Sequence, residues 1–235
     1  MDRIGTAGWT IPRTSAAHFP AEGTGLERYA AVLPAAEINT TFYRSHKPAI
    51  FERWAHATPP HFRFAVKAPK TVTHEKRLVE TNDLLRTFIA EIAPLGGKLG
   101  PVLIQLPPSL QFTDDAARFV GGWRELYEGP TVIEARHATW FTGEAEARLV
   151  DAHIARVAAD PAVVPEAARP GGWTGLTYIR LHGSPRMYAS PYSSEQIATV
   201  AATLATRQPG TEGWCIFDNT MLGAAAANAL ELMGV

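Results

Sequence analysis

Apolar positions along the chain follow two alternating rhythms. Short runs apolar at every second residue, or throughout, are followed by stretches apolar at every third or fourth position, the signatures of strands and of one-sided helices. The strand-like runs are RIGTAG (3–8), AAEINT (35–40), FRFAVKAP (62–69), GPVLIQLPP (100–108), TVIEAR (131–136), ARVAAD (155–160), GLTYIRLHG (175–183) and GWCIFDN (213–219). Helical spacing lies between them at Leu26, Tyr29, Ala30 and Leu33, and again at Ile50, Phe51 and Trp54 behind Pro48, which suits a first helical turn. It recurs at Leu84, Leu85, Phe88, Ile89 and Ile92, and at Phe119, Val120, Trp123 and Leu126 behind the N-cap candidate Thr113. Further helices are predicted over about 143–152, after Ser193 with Gln196 as a capping box, and over the Ala-rich 222–233. The segment 161–174, PAVVPEAARPGGWT, has three prolines, a Gly-Gly pair and no helical period, so a loop takes the place of the sixth helix.

Eight strands, nearly all followed by helices, call for parallel pairing. An open doubly wound sheet is the alternative, but eight units in 235 residues favour a (β/α)8 TIM-like barrel, a closed parallel sheet forming one domain over 1–235. The hydrophobic fraction of 46% against 19% charged supports a large core and excludes a disordered chain. A net charge of −1 argues against indiscriminate nucleic-acid binding. One cysteine, Cys215 in an apolar run, excludes an internal disulfide and a cysteine-based zinc cluster. MDRIGTAGW lacks a signal-peptide core, and no apolar run is long enough to cross a bilayer, so a cytoplasmic location is the expectation.

Side chains alternate faces along a strand. In EINTTFY, Glu37, Asn39, Thr41 and Tyr43 therefore share a face opposite Ile38, Thr40 and Phe42. The same test groups Glu134 with Arg136, and Tyr178 with Arg180 and His182, and sets Lys67 and Gln105 opposite apolar neighbours. It also groups Arg156 with Asp160, and leaves Asp218 and Asn219 on opposite faces. In a barrel the apolar face meets helices and the other points into the lumen, with active sites at strand C-terminal ends. The polar set is thus a candidate site; a structural ion-pair network filling the lumen is the plain alternative. His74, in the loop after Lys67, has Lys70, Lys76 and Arg77 for company. His137 follows Arg136, and Trp9 follows the small residues GTAG, which let a ligand approach.

Charge is uneven along the chain. From Arg44 to Arg77 there are eight Lys/Arg against two Asp/Glu; from Glu125 to Pro170, four against eight. A basic side of the mouth suits an anion, and an acidic side with His182 suits a divalent metal or a general acid. Glu134, Asp160, His182 and Asp218 end consecutive strands, and Asp160, His182 and Asp218 are the candidate ligands for magnesium, manganese or zinc. No HExxH, P-loop, dinucleotide glycine fingerprint or G-x-S-x-G elbow is present.

GTAGW, EINTTFY, RFAVKAPKTVTHEKRL, LGPVLIQLPPSL, EARHATW, YIRLHG and IFDNT occur in the order seen in domain-of-unknown-function family 72, the YecE-like proteins, which the whole chain resembles. The resemblance implies a TIM-like barrel of the endonuclease IV and xylose isomerase type, with nucleic-acid or phosphodiester chemistry suggested by analogy. It carries motif status to Trp9, Glu37, Asn39, Phe42, Tyr43, Lys67, His74, Gln105, Glu134, Arg136, His137, Trp140, Arg180, His182, Gly183, Asp218 and Asn219. After GTAGW this chain reads TIPRTSAAHFP, where relatives tend to carry a tyrosine and a tryptophan.

The leading expectation is an enzyme acting on an anionic, phosphorylated substrate, with metal-assisted phosphoester hydrolysis as its sharpest form. Glu37, Glu134 and His182 are the catalytic candidates. Trp9, Asn39, Tyr43, Lys67, His74, Gln105, Arg136, His137, Trp140, Arg180 and Asn219 are the ligand-binding ones. The alternatives are a non-catalytic nucleic-acid binder stacking bases on Tyr43, Trp54 and Trp140, and a carbohydrate-type isomerase or hydrolase using Glu37 and Glu134.

Overall fold

The computed structural model describes residues 2–235. Ten strands form one sheet: β1 (Arg3–Ala7), β2 (Ala35–Ile38), β3 (Arg63–Lys67), β4 (Leu99–Gln105), β5 (Thr131–Glu134), β6 (Ala155–Arg156), β7 (Ala158–Asp160), β8 (Gly171–Gly172), β9 (Leu176–Leu181) and β10 (Glu212–Phe217). Their order is β7-β9-β10-β1-β2-β3-β4-β5-β6-β8. Every pairing among the described residues is parallel except β6 with β8. The sheet is nearly closed and barrel-like, because β6 pairs with β5, β7 pairs with β9, and only Val157 parts them. The Val157 N–H still donates to Ile133 O at 2.9 Å, so the ladder with β5 runs into the break, and His182 N–H donates to Asp160 O at 2.8 Å just beyond the far end of the β7–β9 pairing.

Eight strand segments were anticipated; the sixth is split in two, and Gly171–Gly172 adds a short antiparallel strand. The split lies in the strand leading into the stretch that lacks a helix, and β8 lies within that stretch. Its one helical piece is a 3-10 turn, Pro165–Ala168, and Arg156 ties the stretch down. The Arg156 guanidinium lies over Phe141 and donates to Glu146 and to the carbonyls of Glu166 and Arg169. A Cβ on Gly171 would lie 2.1 Å from that guanidinium, so the glycine leaves it room.

Eight helices complete the fold: α1 (Gly25–Ala30), α2 (Thr40–Tyr43), α3 (Pro48–His56), α4 (Asn82–Ile92), α5 (Asp114–Leu126), α6 (Gly143–Asp151), α7 (Ser194–Ala205) and α8 (Ala224–Met233). Local chemistry sets their starts. Thr24 with Glu27, and Ser193 with Gln196, form reciprocal capping boxes, Pro48 opens α3, and the Thr113 hydroxyl accepts from Ala116 N–H. No helix among the described residues is long and apolar enough to cross a membrane.

Strand parity sorts the interior into two cores. Ile4, Ile38, Phe64, Val66, Ile104, Ile133 and Ile179 face the helices in the larger one. Ala35, Ala65, Leu103, Val132, Ala155, Val157, Tyr178, Trp214 and Ile216 fill the lumen. Trp214 stacks on Tyr178 with ring centroids 5.9 Å apart, and a Cβ on Gly100 would lie 2.6 Å from its ring. This apolar plug is the floor on which the polar layer stands. Between β1 and β2 the Tyr29 hydroxyl takes Thr6 N–H at 2.8 Å and donates to Ala35 O at 3.0 Å, replacing a ladder bond from the helix side.

Candidate active site

Above the plug, the next inward residues of successive strands are charged or polar. Glu37 ends inward on β2, Lys67 closes β3, Gln105 closes β4, Glu134 closes β5, and Arg180 lies two residues beyond Tyr178 on β9. His182 and Asp218 follow β9 and β10 directly. Glu37, Glu134, Arg180 and His182 are almost wholly buried. Buried charges persist only when paired, and here the pairing is dense. Arg180 Nε lies 3.1 Å from both Glu37 oxygens and Nη2 2.7 Å from Oε1, while Tyr178 donates to Oε2 at 2.8 Å. The other edge of the guanidinium reaches Glu134 Oε2 at 3.0 Å and Asp218 Oδ2 at 3.0 Å. Glu134 also accepts from Gln105 Nε2 at 2.9 Å and from Arg136 Nε and Nη2 at 3.0 and 2.7 Å.

His182 lies inside this network. Its Nδ1 is 3.0 Å from Asp218 Oδ2, and its Nε2 is 2.8 Å from Glu134 Oε1 and 2.7 Å from Arg136 Nη2. A carboxylate acceptor and a guanidinium donor thus meet at one ring nitrogen, so Nε2 can hold a proton or give it up without losing its partner. Burial acts to raise Glu134, but His182, Arg180 and Arg136 override it and hold the carboxyl well below its ordinary range. Asp218 is treated alike: burial opposes its charge, and Arg180 and His182 bring it below the usual aspartate value. Burial and the Glu37 charge push the Tyr178 phenol well above its ordinary range, so it serves as a donor.

Lys67 differs from all of these. It is 7% exposed, yet its Nζ has no hydrogen bond or ion pair among the described residues and sits 3.9 Å from the centre of the Phe42 ring. Burial, then the Arg180 charge, pull it down to about 8, against the pull of Glu37, Glu134 and Asp218. His74, on a π-helical turn at Thr71–Glu75, meets the same Phe42 ring edge-on, with centroids 5.0 Å apart. Burial, Lys67 and Arg136 lower it below the ordinary histidine range. Lys67 and Arg136 are thus the cations on a partly open side of the site, with His74 beside Lys67 held toward its neutral form, and Glu37 and Glu134 lie deeper.

Several candidates lie elsewhere. EINTTFY is a strand only to Ile38; α2 then turns Tyr43 outward, 72% exposed, beside a cleft with Arg44, Lys70 and Glu91. Thr41 instead donates to the carbonyl of Lys67 at 2.7 Å, tying that turn to the end of β3, and the buried Asn39 Oδ1 has no hydrogen-bond partner. Trp9 packs on Trp54 and Phe64, on the helix side. Trp140 is fully buried and donates to Leu110 O, so no base-stacking platform of Tyr43, Trp54 and Trp140 exists. His137 caps the turn at Ala138–Phe141, its Nδ1 accepting from Thr139 N–H. Asn219 leaves the lumen to donate to Ser190 O and Asn228 Oδ1.

Strand six has the opposite parity to that expected: Ala155 and Val157 enter the lumen core, and Arg156 and Asp160 face outward. Asp160 accepts from Tyr192 Oη at 2.6 Å, apart from His182 and Asp218. The metal set is therefore not assembled, and no group of three or more His, Cys, Asp or Glu among the described residues is placed to hold an ion. Arg63, counted within the basic run, opens β3 at the far end of the strand from Lys67. Two contributors were under-read. Tyr178 is legible from the Y-x-R-x-H spacing, whereas alternation puts Phe42, the platform of Lys67 and His74, on the apolar face of a strand that ends before it.

A family model described as "Protein of unknown function DUF72" matches residues 3–235. The UPF0759 protein YecE of Escherichia coli K12 is 32% identical over 154 residues, 63% of this chain and 54% of that protein. The UPF0759 protein YunF of Bacillus subtilis 168 is 25% identical over 149 residues, 60% of this chain and 53% of that protein. The matched part thus spans little more than half the length of these relatives. Among solved structures, a DUF72 family protein of Thermotoga maritima MSB8 superimposes with a TM-score of 0.81 at 27% identity, covering 100% of this chain and 98% of that one. One from Enterococcus faecalis V583 gives a TM-score of 0.84 at 21% identity, covering 100% and 94%, which speaks to the fold alone.

Proposed function

The chain belongs to the DUF72 family, and on that footing we propose that it is a (β/α)8-barrel enzyme binding a small anionic, phosphate-bearing substrate over Lys67 and Arg136. In this reading β6 and β7 are one interrupted sixth strand, and the polar layer opens at the strand C-terminal ends, where barrel enzymes work. The observation that carries it is the Lys67 Nζ, 3.9 Å from the centre of a Phe42 ring that His74 meets edge-on, without a carboxylate partner at a mouth where Arg136 is partly exposed. Glu37, Glu134 and Asp218 are each held by Arg180, so the cation without a carboxylate partner is Lys67.

Glu37, Glu134 and His182 then act from beneath. Glu134 holds Arg136 at the mouth, and His182 links Glu134 to Asp218, a path along which a proton can shift during turnover. Asp218, slightly exposed, is where that path meets the substrate side. Cytoplasmic location and action on an anionic small molecule belong to the same proposal.

Calorimetric titration of the full chain with inorganic phosphate and with sugar phosphates tests it. Lys67→Ala should weaken binding about 10- to 100-fold, the worth of one charge-assisted hydrogen bond. Arg136→Ala should do the same, and binding should fall as salt rises. If phosphate compounds do not bind, or bind equally to Lys67→Ala, the anion site is not there.

A further inference from the structure

We infer that Lys67 is a nucleophilic amine that forms a Schiff base, so that the substrate bears an aldehyde or ketone beside its anionic group. This rests on the anion-site reading and names the reactive half of the same ligand.

The geometry sets Lys67 apart from the other buried charges. A lysine kept for charge balance would lie against a carboxylate, and three carboxylates are near. Each is turned instead toward Arg180, Arg136 or His182. Elsewhere in the chain Lys70 pairs with Glu75, and Lys98 donates to Thr58 O and Pro59 O. Lys67 has an aromatic face instead, at the end of a barrel strand, tied into place by the Thr41 bond to its own carbonyl. Anion binding alone would be served better by a forked guanidinium. What an amine adds is a lone pair, and an apolar wall with a nearby guanidinium is the environment that frees it. Burial and Arg180 bring Lys67 to about 8, in keeping with that role.

His74 supplies the base. It shares the Phe42 ring with Lys67, its Nδ1 is engaged by Thr73 Oγ1 at 2.9 Å, and its Nε2 has no hydrogen bond among the described residues. Held below the ordinary histidine range, it is a weaker base than Lys67, so it takes the Lys67 proton only transiently, through solvent, and is free to give it back. The free Nζ attacks the carbonyl carbon, a C–N bond forms, and the oxygen gains a proton to give the carbinolamine. His74 then returns its proton, the C–O bond breaks, and water leaves. Ammonium and carbonyl thus become iminium and water, with no oxidant or reductant, and hydrolysis reverses the step. Arg136 holds the substrate's anionic end. The iminium withdraws electrons from the adjacent carbon, which suits C–C bond formation or cleavage, or proton abstraction, next to the former carbonyl.

The test is reductive trapping. The full chain is incubated with glyceraldehyde 3-phosphate and sodium borohydride, and adducts are located by intact mass and peptide mapping. One adduct should form at Lys67, faster than at Lys47, Lys70, Lys76 or Lys98 by on the order of tenfold or more, as follows from its larger neutral fraction near pH 7. Trapping should rise through pH 8 and vanish in Lys67→Arg, whose thermal melt shows whether it has folded. Unphosphorylated glyceraldehyde should trap more weakly. Even labelling of all five lysines, or a Lys67 no faster than the rest, overturns the inference. Phosphate binding without trapping leaves the anion site standing and removes the Schiff base. Trapping at Lys67 that is indifferent to phosphate keeps the amine chemistry and removes the anion site.

Discussion

Arg180 is the residue on which the polar layer hangs, and replacing it by methionine is the sharpest perturbation of that layer. The side chain is 1% exposed, and its guanidinium is the shared partner of Glu37, Glu134 and Asp218. Methionine fits most of the volume and removes the charge. Glu134 retains Arg136, Gln105 and His182, and Asp218 retains His182. Glu37 retains only the Tyr178 hydroxyl and is left as a buried carboxylate without a cationic partner at hydrogen-bonding distance. Breaking a buried ion pair in this way costs about 3–5 kcal/mol, much of it the stranded charge. For a chain of this size that is a fall in Tm of about 6–20 °C, at about 2–4 °C per kcal/mol. The diagnostic is the second mutation. Glu37→Gln alone unbalances the layer and destabilises it, but in the Arg180→Met background it removes the stranded charge. The double variant should therefore be more stable than Arg180→Met by about 1–3 kcal/mol, and the coupling energy exceeds that difference by the cost of Glu37→Gln alone. Urea unfolding of the four members of the cycle measures it. An Arg180→Met loss under about 1 kcal/mol, or additive single effects, would refute the claim that these charges stabilise one another.

Three further outcomes follow from separate parts of the structure. Tyr29→Phe leaves Thr6 N–H and Ala35 C=O without their shared partner between β1 and β2, so it should cost about 2–4 kcal/mol and speed amide exchange at Thr6. Lys67→Met should stabilise the chain at pH 7 by about 1–3 kcal/mol, because burial penalises the ammonium. The sign follows from the folded value of about 8 lying below the unfolded one near 10.4: the penalty is full below pH 8 and disappears as pH rises through that window. Chemical denaturation at pH 7 and pH 10 should show the advantage of Lys67→Met shrinking; a constant difference would mean that the amine is not desolvated. Trp140→Phe should cost about 1–2 kcal/mol through the lost bond to Leu110 O and leave phosphate affinity unchanged in calorimetry, separating it from the binding residues.

How much of this was legible depended on whether alternation was clean. TVIEAR and TYIRLH alternate without ambiguity, and Glu134, Arg136, Tyr178, Arg180 and His182 do converge. EINTTFY alternates too, but Thr40–Tyr43 is a helical turn, and a strand that stops early leaves no trace in a polar, β-branched sequence. Glu37, before the break, was placed correctly; Tyr43, after it, was not. ARVAAD misled for another reason. Its apolar residues occupy both faces, so only its polar residues point to a lumen side. The missing sixth helix reverses that logic: the outer face of β6 meets a loop that turns the Glu166 and Arg169 carbonyls toward it, which an arginine can bond and an aliphatic side chain could not. An absent helix is visible in sequence, but the identity of what replaces its packing is not, because it depends on which carbonyls the loop presents.

The lumen also shows that its charges are not there to close the sheet. Its lower layer of Ala35, Ala65, Leu103, Val132, Val157 and Ile216 is apolar and fills the same cylinder from the same strands. An apolar upper layer of similar volume would be no less stable, since buried ion pairs seldom outperform well-packed hydrocarbon. Within the upper layer the satisfaction is asymmetric: the acids and Arg180 saturate one another, whereas Lys67 is buried at a cost and left with an aromatic face. A residue that lowers stability and holds an unspent amine where barrel strands end is the pattern of a stability–function trade-off. The two layers should therefore respond oppositely to substitution. Shortening Leu103 or Val132 should cost stability in proportion to the cavity and leave ligand affinity nearly intact. Replacing Lys67 should raise stability, weaken phosphate binding and abolish trapping. A Lys67 variant that lost both would place that side chain among the structural charges.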